Sequence, residues 1–344
     1  MIKLILMNGA ETEIMFPCRE KDLYDCLGKI GIPELIPPIV YVKEVVEPKE
    51  YAGFAGKAQN LDEINYFAKT EEDFSFYEQE KLKAVVSAEK EITPKRLINL
   101  CFNLERYSLH RESEGRNGIK TEYGIVCVDE NIQEIEAYHG KTFPYCSPDG
   151  EESPLLIAKI EYGGQSEYVA MPCDPIVIAK SLHRLGAYNA EECTCSLDGV
   201  GSSVQPMAEI FKELLHEENI HRVNEFIEKL GGMQIDMSTL ADFVTYAGQI
   251  KPEAILKLAE HIEEFGYIGE VFDYAELGSH IMSQYLPNNL PEEYRECIDY
   301  ERIGEIFAET CGGSFVNGGF GYMNEGKSLE DILSDTGIEW EGLK

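Results

Sequence analysis

The segment GYMNEGKS, from Gly321 to Ser328, has the spacing of a phosphate-binding P-loop. In such a loop, backbone N–H groups and a lysine surround the phosphates between a buried strand and the first turn of a helix. The preceding residues, CGGSFVNGGF, are too rich in glycine for a buried strand, and Glu325 would place a negative charge inside the loop. Only sixteen residues follow Ser328, too few for a strand that carries a magnesium ligand. We therefore interpret the segment as a surface turn and a helix N-cap, without a bound nucleotide.

The segment HEENIH contains two histidines, His216 and His221, that could be expected to bind zinc. On one helix, side chains five residues apart point roughly 140° away from each other, whereas two ligands on one face need a spacing of four. Cys193 and Cys195 have no second cysteine pair nearby. Acidic pairs are too abundant for spacing to single out a general acid and base. The sequence therefore predicts no metal site, no cofactor and no catalytic residue.

Carboxylates in rows on predicted helices remain as candidate functional groups. Glu209, Glu213 and Glu217 follow one another at a spacing of four, about 6 Å apart along a helix axis. The other acidic groups are a second row at Glu253, Glu260 and Glu264, and a cluster at a helix entry formed by Glu71, Glu72, Asp73, Glu78 and Glu80. Any one group could be a solvated helix face. Their repetition predicts a continuous acidic surface that binds a partner.

The whole chain is strongly acidic. Its 344 residues include 63 Asp and Glu against 30 Lys and Arg, for a formal net charge of −33. Such a surface repels itself, which destabilises the folded state unless the charge serves a purpose. Because duplex DNA carries about one negative charge per 1.7 Å of axis, the chain could imitate DNA; the alternative is that the acidity only keeps the protein in solution. Either way we expect repulsion from nucleic acid and anionic membranes, and attraction to proteins with basic grooves.

Composition favours a folded protein of the cytoplasm. Hydrophobic residues make up 44% and aromatic residues 10% of the chain, enough for packed cores. The ten cysteines are scattered without a disulfide-type spacing, which indicates reduced thiols. The N-terminal segment MIKLILMNGAETE has neither the pattern of a secretory signal nor that of a membrane span.

The chain contains an internal repeat. A shift of 155 residues places MIKLILMNGAETEIMFPC on LIAKIEYGGQSEYVAMPC, with Pro17 on Pro172 and Cys18 on Cys173. Further along, slightly larger shifts align two helical segments in the same order, with Asn65 on Asn224, Phe67 on Phe226 and Pro94 on Pro252. Three segments that match in order indicate a duplication. Each copy is predicted to form a strand, glycine turn, strand and helix, followed by a helical bundle.

These patterns predict an α+β fold in an elongated, multi-domain chain. The predicted parts are an α/β subdomain at 1–56, a helical bundle at 57–110, a linker or remnant third subdomain at 111–153, the second α/β subdomain at 154–203, the second bundle at 204–270 and a C-terminal subdomain at 271–344.

The C-terminal segment from Tyr274 to Met323 resembles the ArdA antirestriction family. Members of that family carry an LG-containing helix, a Tyr-x-Asp-Tyr-Glu motif followed by a glycine, and then a Gly-x-Phe and a Gly-Tyr pair. The matching positions here are Leu277, Gly278, Asp299, Tyr300, Glu301, Gly304, Gly313, Phe315, Gly321 and Tyr322. Cys297 stands where the family has the first tyrosine of its motif, and DEINYFAK from Asp62 to Lys69 also resembles a family helix.

The resemblance implies an acidic, non-enzymatic protein that imitates bent DNA. Such a protein occupies the DNA-binding groove of type I restriction-modification enzymes and does not itself bind nucleic acid or membranes. Asp299, Tyr300, Glu301 and Gly304 would then form a structural or dimer-forming element, although two copies in one chain could replace a homodimer. The alternatives are inhibition of another defence nuclease, such as a CRISPR effector, and an enzyme that uses the P-loop-like segment.

Overall fold

A computed structural model describes residues 1–111, 114, 117–144, 154–286, 291–295, 297–324 and 328–334. Part of the region predicted as a linker or remnant subdomain at 111–153, and residues 325–327 of the P-loop-like segment, lie outside the described residues. The chain divides into two compact units. Unit 1 comprises Met1–Ser147, Glu161–Glu167 and Asp174–Cys193; unit 2 comprises Pro148–Ile160, Tyr168–Cys173 and Thr194–Lys344.

The first copy begins with an antiparallel sheet. Its strands are β1 (Ile2–Asn8), β2 (Ala10–Phe16), β3 (Ile39–Glu47) and β4 (Lys57–Asn60), in the order β2-β1-β3-β4, with helix α1 (Glu20–Lys29) after β2. Gly9 makes the β1–β2 turn with a φ of 76°, a conformation that glycine adopts without strain. Alternate residues Ile2, Leu4 and Leu6 of β1 are fully buried, as expected for a sheet with one face on the core.

A 3-10 helix lies between β3 and β4, and three α-helices that each begin with a side-chain cap follow the sheet. The 3-10 helix is Lys49–Phe54, and the α-helices are α2 (Leu61–Glu72), α3 (Phe76–Ala88) and α4 (Pro94–Phe102). Asn60 caps α2, Ser75 forms a capping box with Glu78 on α3, and Thr93 caps α4, where Pro94 occupies the first turn.

A small sheet completes the first copy. It contains β5 (Tyr107–His110), β6 (Ile119–Thr121) and β7 (Gly124–Val128) in the order β5-β7-β6. The region predicted as a linker or remnant subdomain at 111–153 therefore contributes two strands of a sheet, and β5 lies before that boundary.

The second copy repeats this order of elements. Its sheet contains β8 (Leu156–Tyr162), β9 (Gln165–Met171) and β10 (Thr194–Val200) in the order β10-β8-β9, with helix α5 (Pro175–Leu185) after β9. Next come a 3-10 helix (Ser202–Met207), α6 (Ala208–Glu217), α7 (Ile220–Gly232), α8 (Met237–Ala247) and α9 (Pro252–Glu260). Helix α6 has no counterpart among the described elements of the first copy.

The C-terminal sheet has the same strand order as the small sheet of the first copy. It contains β11 (Phe265–Gly269), β12 (Ser314–Val316) and β13 (Gly319–Met323) in the order β11-β13-β12. Helices α10 (Tyr274–Ser283), α11 (Glu292–Arg295) and α12 (Tyr300–Cys311) lie between β11 and β12, and α13 (Leu329–Ser334) follows β13. The sheet thus takes one strand, β11, from before the predicted boundary at residue 271 and two strands from after it.

One hydrogen-bonded clamp occurs in both copies. In the first, Cys18 follows the cis bond between Phe16 and Pro17, its N–H donates to the side-chain oxygen of Asn65 (2.9 Å), and the Asn65 amide donates back to the Cys18 carbonyl (3.0 Å). In the second, Cys173 follows the cis bond between Met171 and Pro172, and Asn224 makes the same two bonds (2.9 and 2.8 Å). The predicted duplication and the α+β multi-domain class are therefore present in the structure.

The core of unit 1 runs through the first sheet and its helices. It includes Phe16, Tyr51, Phe54, Phe67 and Tyr138, all essentially inaccessible to solvent. In unit 2, Leu277 and Phe320 form a smaller core between α10, α12 and β13. In the described parts of the chain, no helix is both long and apolar enough to cross a membrane.

Candidate acidic surface and buried polar clusters

Helix α6 presents the strongest exposed row of acids. Glu209, Glu213 and Glu217 are exposed, as the spacing of four predicts for one face of a helix. The opposite face buries Phe211, together with Leu214 and Leu215, and so fixes which side faces water. Lys212 lies 3.5 Å from Glu209, but both side chains are mostly solvent-exposed, so the pair neutralises little of the row.

The second predicted row is shorter than expected. Glu253 and Glu260 are exposed on α9, and Lys257 lies 3.2 Å from Glu260. Helix α9 ends at Glu260, so Glu264 lies in the following 3-10 helix rather than on the same face. There it is half-buried, 3.0 Å from the Nδ1 atom of His261. Glu264 therefore does not extend the acidic row, because the α-helical spacing that would align it is interrupted.

The third predicted group is divided between two helices. Glu72 closes α2 and Asp73 follows it, whereas Glu80 belongs to α3; all three are exposed. Glu78 is bound within the capping box, and the hydrogen bonds from Ser75 lower its pKa. These acids therefore do not crowd one helix entry, because a helix end and a new cap lie between them.

Glu71 was predicted on the acidic surface, and this placement is wrong. Its side chain is 6% exposed because it lies on the inner face of α2. The Tyr51 hydroxyl donates to its Oε1 atom over 2.8 Å, and burial, followed by the Glu71 charge, raises the pKa of Tyr51. The Oε2 atom of Glu71 is buried without a hydrogen-bond partner among the described residues.

A cavity of about 330 Å³ adjoins Glu71 in unit 1. Its wall includes Met15 and Pro48, the carboxylates of Glu47 and Glu72, and the Lys83 side chain. Sequence reasoning missed this feature, because a run of adjacent acids suggests a solvated face.

The repeat shows what the position of Glu71 requires for folding. Asn60 caps α2 and Asn219 caps α7, and the two clamp asparagines lie five residues later in each helix. In that register Glu71 corresponds to Leu230, which is fully buried. A leucine therefore satisfies this core position in the second copy. The comparison of the two copies was the signal in the sequence that could have identified Glu71 as unusual.

A buried ion cluster lies in unit 1 around Lys180 of α5. Lys180 is 2% exposed and binds Glu20 (2.6 Å) and Asp62, with the Tyr24 ring 5.0 Å from its ammonium. Burial raises the pKa of Asp62, and Lys180 opposes that effect. No sequence pattern indicated this cluster, because a lysine between Ile178 and Leu182 looks like an ordinary position of an amphipathic helix.

Arg184, one turn further along α5, extends the cluster. Two of its nitrogens bind the carboxylate of the buried Glu167 on β9 at 3.0 and 2.8 Å, and its guanidinium lies over the Phe143 ring at 5.1 Å. Breaking a buried ion pair on one side typically costs 3–5 kcal/mol. The cluster therefore positions α5 within unit 1 and does not provide free charges for a partner.

The predicted motif from Asp299 to Gly304 builds a close helix crossing. Asp299 caps α12 through a 3.0 Å bond from the Arg302 N–H, and Glu301 is exposed. Gly304 is buried against α10, where a Cβ atom would lie 1.9 Å from the Tyr274 carbonyl oxygen. Gly278 of α10 is related in the same way to the Tyr300 carbonyl. The glycines of the motif therefore let two backbones touch, and the structure gives this segment a packing role.

The histidines of HEENIH lie on different helices, since α6 ends at Glu217 and α7 begins at Ile220. Within the part of the chain that the structure describes, no group of three or more His, Cys, Asp or Glu side chains could hold a metal ion. The central residues of the P-loop-like segment are outside the described residues, and its last residue, Ser328, caps α13 by accepting a bond from the Asp331 N–H.

Comparison with known proteins adds no relative to these observations. No model of a protein family matches the chain, and no curated protein matches it.

Proposed function

We propose that this protein is a DNA mimic that occupies the DNA-binding groove of a type I restriction-modification enzyme in the cytoplasm. The observation that carries the proposal is the exposed row of Glu209, Glu213 and Glu217 on α6 in a chain of net charge −33. The protein acts by occupancy, so it needs neither a cofactor nor a catalytic residue.

The geometry of the row suits a groove that binds phosphates. Successive carboxylates lie about 6 Å apart along the helix axis, and phosphates along one DNA strand advance by about 3.4 Å each. The row therefore carries roughly half as much charge per unit of axis as one DNA strand. Lysines and arginines that neutralise DNA would meet carboxylates at this lower density, and complementary charge of this kind mainly accelerates association and fixes orientation.

Competition with DNA tests the proposal. A fluorescent target duplex bound to the purified DNA-binding core of a type I enzyme should be displaced by the protein without ATP. Binding should weaken steeply as salt is raised from about 0.1 M to about 1 M, because the screening length falls from about 10 Å to about 3 Å. Binding that does not respond to salt would contradict an electrostatic mimic.

Charge reversal tests which acidic residues are responsible for the inhibition. Substitution of Glu209, Glu213 and Glu217 by Lys should weaken inhibition by roughly thirtyfold, if each reversal removes about 0.7 kcal/mol of surface attraction. A control with three exposed acids outside the predicted groups, Glu34, Glu44 and Glu122, replaced by Lys has the same net charge and should inhibit more strongly. Equal inhibition by the two triple variants would show that only total charge matters, and full inhibition by the α6 variant would refute the role of the row.

A further inference from the structure

Glu71 is a carboxylate at a position where the fold needs only an apolar side chain. The corresponding residue of the second copy, Leu230, is fully buried and satisfies the same position of the helix. Tyr51, which binds Glu71, is the third residue of its 3-10 helix, and the third residue of the corresponding 3-10 helix is the buried Val204. The first copy thus has a polar pair where the second copy has an apolar pair.

The polar pair is incomplete. Tyr51 satisfies the Oε1 atom of Glu71, but Oε2 is buried without a hydrogen-bond partner among the described residues. Within those residues no lysine or arginine nitrogen forms an ion pair with Glu71. A buried carboxylate with one unsatisfied oxygen is costly, and a bound ion or other ligand is one way in which such a cost is offset.

The adjoining cavity has the dimensions and chemistry of a small ligand site. Its volume, about 330 Å³, is at the lower end of the range for ligand pockets. The wall contains three carboxylates, Glu47, Glu71 and Glu72, and two ammonium groups, Lys3 and Lys83. Lys3 binds Glu13 at 2.9 Å, so its charge is already compensated. Methionine and proline side chains supply an apolar surface beside this negative end.

We propose that this cavity binds an alkyl cation, a guanidinium or ammonium group on a short aliphatic stem, with the cation donating to Glu71. The stem packs against Met15 and Pro48, and the charged head pairs with the carboxylate of Glu71, a residue of the cavity wall. A free alkylguanidine or alkylamine offers this chemistry, and so does an arginine side chain of a bound peptide. The site is independent of the acidic row on α6, which lies in the other compact unit.

Methyl-labelled methionine and NMR provide the test in the intact chain. Addition of n-butylguanidinium should shift the Met15 methyl signal with a Kd of about 1 mM or tighter, and should leave Met207, a core residue of unit 2, unchanged. Neutral n-butylurea has the same shape without the charge and should bind at least tenfold more weakly. No shift with the cation, or equal shifts with the urea, would overturn the proposal, and neither result depends on a variant folding.

Variants then test whether the negative charge of Glu71 binds the cation. Glu71→Gln retains an acceptor for Tyr51 but removes the negative charge, and it should weaken n-butylguanidinium binding at least tenfold. Glu80→Gln, an exposed acid of α3 outside the cavity wall, should bind like the wild type. Equal loss in both variants, or none in Glu71→Gln, would refute the assignment.

Two further experiments identify the natural ligand of the cavity. If an acetyl-Gly-Arg-Gly-amide peptide shifts Met15 as n-butylguanidinium does, the source is a protein side chain; if only the free cation binds, the source is a small molecule. Lys83→Met tests whether the chain fills its own site. Binding that appears only in Lys83→Met would show that the Lys83 ammonium is the natural partner of Glu71, and the ligand site would be rejected.

Discussion

The two copies of the repeat retain the same scaffold and differ in how they use charge. Both have the asparagine clamp behind the sheet, a proline-started helix and a three-stranded sheet with its last strand in the centre. Both copies bury acids, Glu71 and Asp62 in the first and Glu167 in the second, but with different partners. The second copy exposes acids in a row on α6, a helix without a counterpart in the described first copy. The two copies therefore share their backbone scaffold, whereas the positions of their charged groups differ.

The largest effect is expected at the crossing of α10 and α12, which has no counterpart among the described elements of the first copy. Gly304→Ala should destabilise unit 2 by about 3 kcal/mol, because its methyl group would overlap the Tyr274 carbonyl and force α10 and α12 apart. Urea unfolding measures this loss. Gly232→Ala, with no atom within 4 Å of the added methyl group, should be neutral or slightly stabilising. Equal effects of the two substitutions would mean that the crossing is not tightly packed.

Substitutions in the two clamps test whether each clamp contributes equally to the free energy of unfolding. Asn65→Ala and Asn224→Ala should each cost about 2 kcal/mol in the free energy of unfolding, because each substitution removes two hydrogen bonds and leaves buried backbone groups unpaired. Gln205→Ala, at an exposed position, should change stability by less than about 0.5 kcal/mol. A loss in one copy alone would show that only that copy depends on its clamp.

Replacing Tyr51 and Glu71 by apolar residues makes this part of the first copy resemble the second. The double variant Tyr51→Phe with Glu71→Leu should be more stable than the wild type by about 1 kcal/mol, because it removes an unsatisfied buried oxygen and its partner together. Glu71→Leu alone should gain less, because it leaves the Tyr51 hydroxyl without its acceptor. A double-mutant cycle from urea unfolding measures the coupling. Destabilisation of the double variant would show that the polar pair is needed for folding.

The smallest effect concerns how the equivalent helices α3 and α8 are capped. Ser75 caps α3, whereas Asp236 caps α8 and accepts hydrogen bonds from Ser238 and Thr239, which lower its pKa. A lowered pKa stabilises the fold above the unfolded value of 3.8, and this contribution is lost as the pH falls through the folded value.

The wild type should therefore exceed Asp236→Asn in stability by about 0.5 kcal/mol near neutral pH. The difference should vanish as the pH is lowered from about 5 to about 2. Urea unfolding of both proteins, near neutral pH and again at about pH 2, measures this difference in stability. A difference that does not change with pH would mean that the ionised cap contributes nothing.

Local sequence patterns predicted the scaffold well. Apolar spacing, proline at helix starts and the aligned asparagines indicated the duplication, and the two asparagine clamps lie where that alignment placed them. The small sheet of the first copy was less clear, since β6 is only three residues long and shows no periodicity. Burial of charge was missed at Glu71 and Lys180, because their partners Tyr51 and Asp62 are distant in sequence. Spacing predicts which side of a helix a residue occupies, but not whether another element covers that side.

The placement of α5 has a consequence for the loss of either copy. Although α5 belongs to the second copy by sequence, Lys180 and Arg184 bind the acids of unit 1. A deletion that removed the second copy would leave Asp62 and Glu20 without their cation in the first. Loss of either copy would therefore leave buried charges of this cluster without their partners, which is costly.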